Sequence, residues 1–497
     1  MKKNMKNRID IRILIGLTIL ALESVSLGAW GQVRDSEMHN QGGKSLTLDE
    51  VIHLAQDSAI TAFQSRQEYR SRQASYEAFE ALRKPQLSLK FVPNYTRIVS
   101  DPSRDYVYLR NFDILSTSAQ LRLTQKVLPF GGEAFIGTQA VWSEFFREEA
   151  SGHPRQFVVS PLLAGYSHEL LGYNPFRWEK LVEDQRMKAA RQQHEYELRC
   201  IAEETAVRYI RLACRQWMLL LRQDELSLND TILAITREKA TIAIVTQAEL
   251  HSIELQKQNA ANQLALARKD EHEARTALAS LLRMKQIPDS MPLLTIPDTP
   301  PAVHYTAEDV AMLAKNNSPA YQHQLAELTE ARHQEEKAHK ERGINVGLDI
   351  NLGLQQVNST FGSAFKNQQL YALGTVQVTI PLMDHGAARK RHAAATAWME
   401  RQESALQETE RLLAEDAIVT LQKLNACRAI LISTLETAKL AEAQFYESVE
   451  NYANGLCDIN TFTLGQNRWL TAYTNYLTAL EEFWTTHYHL QTLIQYE

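Results

Sequence analysis

Along most of this 497-residue chain apolar residues recur with the helical period of 3.6, and in two regions they switch to strict alternation, the period of a strand. The first helical region opens at Leu46-Thr47-Leu48-Asp49-Glu50-Val51, the second at Tyr305-Thr306-Ala307-Glu308-Asp309-Val310. Each offers a threonine as helix cap, acids in the first turn and helical periodicity behind them. Each predicts one helix of about 37 residues, ended by a breaker, Pro85 or Gly343. Thr306 follows Thr47 by 259 positions (306 − 47), and Gly343 follows Pro85 by 258 (343 − 85), so the chain reads as an internal duplication.

Beyond each breaker the period becomes 2. Val346, Leu348, Ile350, Leu352 and Leu354 alternate with Gly347, Asp349, Asn351 and Gly353; Leu87, Leu89 and Phe91 alternate with Ser88 and Lys90. Ala119, Leu121 and Leu123, then Val376, Val378 and Ile380, continue the pattern further on. Such strands have one apolar and one polar face. A half-buried soluble sheet shows the same alternation, but the flanking helices are too polar to cover one. The strand regions, 86–169 and 344–381, differ by about one hairpin, for which Leu128-Pro129-Phe130-Gly131-Gly132 is a suitable turn. Residues 133–169 alternate poorly, and two further strands are expected there, so the chain carries four or six.

Very long helices follow. Residues 176–240 and 384–453 contain no proline and one glycine, Gly386, at the start of the second; Pro175 stands where a helix start tolerates it. Each predicts a helix about 100 Å long, then a turn and a returning helix, over 246–284 and 458–494. Heptad-like apolar spacing with charged faces reads as coiled coil. An opening helix and a returning helix together match one long helix, so the two short ones are expected to stack end to end beside it. Pro288, Pro292, Pro297, Pro300 and Pro301 mark 286–304 as a linker, expected to lie outside the helical wall as a surface belt. The expected plan is residues 32–285 as the first repeat, 286–304 as linker and 305–497 as the second repeat.

Composition narrows the class. With 19 Gly and 14 Pro the chain is neither collagenous nor low in complexity. A mean hydropathy of −0.34 excludes a polytopic helical membrane protein. The net charge of −6 and the lack of a basic cluster beyond residues 2–12 argue against nucleic acid. Residues 1–31 read as a secretory signal peptide: Lys2, Lys3, Lys6, Arg8 and Arg12, an apolar run from Ile13 to Leu22, then Ala29-Trp30-Gly31 at the cleavage site. Its removal leaves a net charge of −9 (−6 − 5 + 2). Cys200, Cys214, Cys427 and Cys457 form neither a disulfide framework nor a zinc pattern. Cys200 and Cys214 fall on one predicted helix, about 21 Å apart, too far to bond.

Signals for catalysis, a cofactor or a metal are lacking. Gly42-Gly43-Lys44-Ser45 imitates the end of a phosphate loop but has no glycine five positions before Gly43 and no preceding strand. His487 and His489 diverge on a helix and read as satisfied surface histidines.

The order helix, strands, long helix, turn, helix, repeated behind a signal peptide, resembles the outer-membrane efflux protein family, the TolC-like channels, over residues 46–493. The most specific match is Tyr452-Ala453-Asn454-Gly455-Leu456, Asp458-Ile459-Asn460-Thr461-Phe462, Gln466, Ala472, Asn475-Tyr476 and Ala479-Leu480. Ala243-Ile244-Val245-Thr246 and Glu249-Leu250 form a weaker first copy, and Ile380-Pro381-Leu382-Met383-Asp384-His385-Gly386 matches the strand-to-helix junction.

The resemblance implies a mainly α chain with a membrane β-barrel: a homotrimer in the outer membrane with a coiled-coil tunnel through the periplasm. It implies passive conduction in a tripartite efflux or type I secretion system, with a periplasmic membrane-fusion adaptor, an inner-membrane pump and outer-membrane lipid as partners. Gly455, Asp458, Thr461 and Leu464 then fall at the periplasmic tip and gate, and Ala243, Thr246 and Glu249 at the adaptor-docking tip. The second hairpin, with the fuller signature, is expected to be the inner, gate-forming one. The family's acidic gate positions fall on Thr461 and Leu464, which are not acids. Asp458 either supplies a three-fold carboxylate ring instead or caps the returning helix. A non-conducting periplasmic coiled-coil scaffold or adhesin is the alternative. Drug, metal and protein cargo are not distinguished.

Overall fold

The structure is a computed structural model that describes residues 47–98, 112–146, 155–170, 173–241, 245–287, 294, 305–453 and 456–494. The signal-peptide reading of 1–31 lies outside them. In chain order the helices and strands are α1 (Leu48–Ser58), α2 (Ile60–Leu82), β1 (Gln86–Ile98), β2 (Phe112–Val127), β3 (Gly132–Phe145), β4 (Arg155–Glu169), α3 (Pro175–Thr241), α4 (Gln247–Leu281), α5 (Ala307–Asn317), α6 (Pro319–Lys340), β5 (Asn345–Asn358), β6 (Gln369–Thr379), α7 (Ala387–Ala453) and α8 (Ile459–Ile494). A short 3-10 turn, Ser363–Phe365, stands between β5 and β6.

The opening helices start as their sequences dictate. Thr47 with Glu50, and Thr306 with Asp309, each form a reciprocal capping box that satisfies two backbone donors. Neither helix is continuous, however. Each breaks after 11 residues, at Ala59 (φ −63°, ψ 140°) and at Ser318 (φ −78°, ψ 122°). The breaks are equivalent, 259 positions apart (318 − 59). At Ser318 the following Pro319 forces the extended conformation. No proline follows Ala59; there a tertiary contact marks the site, for the Ser58 hydroxyl, which donates to the Leu54 carbonyl at 2.6 Å, also lies 3.3 Å from the carbonyl of Leu282, at the end of α4. The second break has the same neighbour, since the Asn317 side-chain amide donates to the carbonyl of Ile494, at the end of α8, at 3.0 Å. Each break thus stands where the returning helix of its own half ends.

The two long helices have 67 residues each. In the first half α1, α2 and α4 pack along α3; in the second half α5, α6 and α8 pack along α7. The halves meet where α3 lies against α6 and α8. Val51, Ala55, Tyr209, Ile210, Leu424 and Phe483 belong to the main core, and a second core lies toward the hairpin turns. The linker is not simply a surface belt. Ile287 and Leu294 are buried in the main core, and the Leu294 N–H donates to the Gln216 side-chain oxygen at 3.1 Å. An apolar side chain amid the prolines finds burial, and the buried Gln216 finds a donor there. All four cysteines are free.

The strands form one antiparallel sheet in the order β1-β2-β3-β4-β5-β6, four from the first half and two from the second, joined through β4 and β5. Paired residues share a face, so the register carries the face of Ile350 across the sheet. It runs through Leu87, Leu89 and Phe91 on β1, Leu121 and Leu123 on β2, and Ile136 and Trp142 on β3. It continues through Phe157, Leu162 and Tyr166 on β4, Leu348 and Leu352 on β5, and Leu370, Val376 and Val378 on β6. The opposite face carries Lys90, Gln120, Arg122, Gln139, Asp349, Asn351, Gln355 and Gln377. Both neighbours of β4 record one additional residue in it, between Val159 and Leu162 against β5 and between Ser160 and Leu163 against β3. Pro161 lies there, and a bulge is where a sheet accepts proline. The bulge moves the apolar positions of β4 from odd to even numbers.

Two strand-to-helix junctions close the frame. The Asn174 side-chain oxygen accepts from the N–H groups of Phe176 and Arg177, capping α3, while its amide donates to the carbonyl of Leu128 at 2.9 Å, tying the helix to the β2–β3 turn. Asp384 caps α7 through the N–H groups of Gly386 and Ala388.

Candidate functional site

Two features stand apart from ordinary packing: the tip where the hairpins turn, and the apolar face of the sheet. At the first turn Thr246 caps α4 and Glu249 answers it, its carboxylate accepting from the Thr246 N–H and hydroxyl at 2.8 Å each. These bonds hold the Glu249 carboxyl below its ordinary pKa, while the nearby charge of Asp458 pushes the other way. At the second turn the Leu456 N–H donates to the carbonyl of Asn451, five residues back, closing the end of α7. Asp458 then caps α8, accepting from the Thr461 N–H at 3.0 Å and from its hydroxyl, and the Thr461 bonds lower the carboxyl's pKa. Asp458 thus serves as a helix cap, and its carboxylate remains exposed.

Thr246, Glu249, Asp458 and Thr461 all lie at this end, with Leu464 exposed one turn further along α8. Ala243 and Gly455 lie outside the described residues.

Behind the caps the two hairpins are bolted together. Phe445 stacks on Trp469 with ring centroids 4.6 Å apart, and Tyr452 packs on Phe462 at 5.5 Å. Leu221, Ile232, Leu233 and Ile253 of the first hairpin complete this core. The Tyr452 hydroxyl lies 2.8 Å from that of Thr236, and the Lys239 ammonium donates to the Tyr452 carbonyl at 2.7 Å. One turn in, Gln466 donates to Asn229 at 3.2 Å and accepts from Gln256. Asn229 and Gln466 are both fully buried, so these amides add direction to an otherwise apolar contact. Thr236, Lys239, Asn229 and Gln256 were not singled out from the sequence; the signal was polar residues on an apolar helical stripe. A groove of about 520 Å³ beside them is lined by Arg222, Glu225, Gln256, Asn259, Thr463 and Asn467.

The apolar face of the sheet is open except at the end remote from the helices, where the 3-10 turn rests against β4 and β5. Leu89 and Leu370, near its two edges, are 73% and 78% exposed, and among the described residues no helix packs on it. The polar face is partly filled from within: the Phe135 ring lies across Gly165, where a Cβ would collide with it, and the Arg122 guanidinium stacks on the same ring at 3.4 Å. Such a pattern fits a sheet with lipid on one side and water on the other. Among the described residues no helix is long and apolar enough to cross a membrane, and none of the His, Cys, Asp and Glu groupings could hold a metal ion.

A sheet continued by a duplicated set of long helical hairpins is the fold of the TolC-like outer-membrane efflux channels. The outer membrane protein VceC of Vibrio cholerae superposes with a TM-score of 0.64 at 12% identity, over 90% of this chain and 95% of that one. A membrane protein from Pseudomonas aeruginosa gives 0.64 at 14% identity, over 90% of each chain. The open state of the MtrE outer membrane channel of Neisseria gonorrhoeae gives 0.61 at 14% identity, over 90% of this chain and 88% of that one. No family model and no curated protein matches the sequence.

Proposed function

We propose that the protein is a homotrimeric outer-membrane channel, the exit duct of a tripartite efflux or type I secretion system. The observation that carries this reading is the apolar face that runs across the six strands while, among the described residues, β1 and β6 each pair on one side. A hydrocarbon environment does not tolerate open sheet edges, and six strands do not close a membrane barrel. Three copies supply 3 × 6 = 18 strands, an even number, with β6 of each copy beside β1 of the next. The helices then project into the periplasm as a tunnel. Conduction is passive, with energy from an inner-membrane pump and the helical tip meeting a periplasmic adaptor. Residues 1–31 direct export, and residues 286–304 join the two repeats. In this reading the second hairpin is the inner one, and Asp458, presented three times about the axis, forms a carboxylate ring at the periplasmic entrance. A periplasmic scaffold or adhesin has no use for the open apolar face.

The test is a pair of neighbours on β5 with opposite faces. Ile350→Arg places a charge on the apolar face and is expected to cost about 2–4 kcal/mol at mid-bilayer depth, with loss of the heat-modifiable trimer from outer-membrane fractions. Asn351→Asp leaves the trimer in place. Equal tolerance of the two substitutions overturns the membrane sheet.

A further inference from the structure

The β5–β6 connection is built, and its aromatic residues are on an unexpected side. Ala364 is fully buried in the 3-10 turn, which rests against both β4 and β5. The Gln368 side chain donates to the Ala364 carbonyl at 2.6 Å, and the Lys366 N–H donates to the carbonyl of Ser363 at 3.1 Å. Asn367 takes a left-handed conformation (φ 52°), which turns the chain into β6. Phe361 lies edge-on to Phe157 at 5.8 Å and to Phe365 at 5.2 Å.

The register fixes which side this is. Phe157 pairs with Trp142 on one neighbour and with Asn358 on the other, and all three share the face of Ile350. Val159, the next residue on that face, is 1% exposed, and the turn is packed against its strand. The turn therefore folds down over the apolar face at the end of the sheet remote from the helices, and does not lean over the polar face. Phe361 and Phe365 remain 51% and 49% exposed, with Lys366 exposed beside them.

We infer that this loop is an interfacial anchor: Phe361 and Phe365 insert into the headgroup–acyl boundary of the membrane leaflet remote from the helices, in a row with Trp142 and Phe157. The inference rests on the reading of the apolar face as lipid-facing. Aromatic residues girdle the apolar band of membrane barrels at that boundary. The occupant is lipid because the loop continues the apolar face without a step. A lid over a water-filled mouth places its support on the polar face, and here the supports, Phe157 and Val159, are on the apolar one.

The experiment places single tryptophans in a Trp142→Phe parent, reconstituted as trimers in phosphatidylcholine vesicles brominated either near the headgroup or near the chain ends. Emission is read as the difference from the parent. Phe361→Trp is expected to lose most emission to headgroup-proximal bromine and little to aqueous iodide, and Phe365→Trp to behave alike. Leu352→Trp, within the face, is expected to lose most to the deeper bromine. Iodide quenching of both loop tryptophans with no bromine effect, while Leu352→Trp is still quenched by lipid, overturns the anchor and leaves the channel reading standing. Absence of lipid quenching at Leu352→Trp overturns both.

Discussion

The hydroxyl of Tyr452, on the last turn of α7, lies 2.8 Å from the hydroxyl of Thr236, on the last turns of α3. Each is buried, and the pair joins the ends of two hairpins that the chain separates by 216 residues. Tyr452→Phe keeps the ring against Phe462 and removes the bond, at a cost of about 0.5–1.5 kcal/mol. If the second hairpin forms the gate, the loss loosens it. Planar-bilayer recordings should show a higher open probability; wild-type gating would separate this bond from closure.

Asp458 makes a different prediction, because its carboxylate is both cap and exposed charge. Its folded pKa is lowered, so its contribution is present above the ordinary aspartate value and is lost as pH falls through the lower, folded one. Asp458→Asn retains a capping oxygen and removes the charge; Asp458→Ala removes both. Block by divalent cations from the periplasmic side should weaken in both variants, and thermal stability should fall mainly in Asp458→Ala. Unchanged block in both reduces Asp458 to a cap.

Leu294, like Ile287, anchors the segment between the repeats, 2% exposed among core residues. Leu294→Ala should cost about 2–5 kcal/mol in denaturant unfolding. Deletion of 289–297 should destabilise the trimer at least as much. A neutral deletion restores the surface-belt expectation.

His487 and His489 are adjacent-but-one on α8, and their pKa values are shifted in opposite directions. His489 Nδ1 lies 2.9 Å from a Glu203 carboxylate oxygen, a contact that raises its pKa; burial lowers that of His487, which stacks on Phe483. His489 therefore stabilises the fold below the ordinary histidine value, and this is lost as pH rises through its own higher value. His487 has the opposite sign: stability falls as pH drops from the ordinary value toward its lower one. The melting-temperature deficit of His489→Gln should shrink as pH rises, while His487→Gln should gain on wild type as pH falls. The reverse order contradicts the assignment.

How far these features were legible depends on whether their cause is local. The capping boxes at Thr47 and Thr306, and the long helices from Pro175 and toward Ala453, follow from residues a few positions apart. Pro161 hid the face of β4, because one bulge moves the apolar positions from Phe157 and Val159 to Leu162, Ala164 and Tyr166, and a single period does not fit both stretches. The break at Ala59 has no local breaker and stands beside the end of α4, more than 200 residues on. Leu294 was obscured by the prolines around it, which signal a linker whether or not one residue is buried. At the tip the acids and their capping threonines were visible, but the residues that join the hairpins were not: Lys239 and Asn229 matter through contacts to Tyr452 and Gln466 of the other hairpin.

The central claim, that three copies close one barrel through β1 and β6, is tested most directly by imaging the detergent-extracted protein by single-particle electron cryo-microscopy. The account predicts three-fold symmetry and a closed barrel of 18 strands, with β6 of one copy beside β1 of the next and the face of Leu89 and Leu370 toward the detergent belt. A particle of another symmetry, or a monomer whose sheet edges remain unpaired, would contradict it.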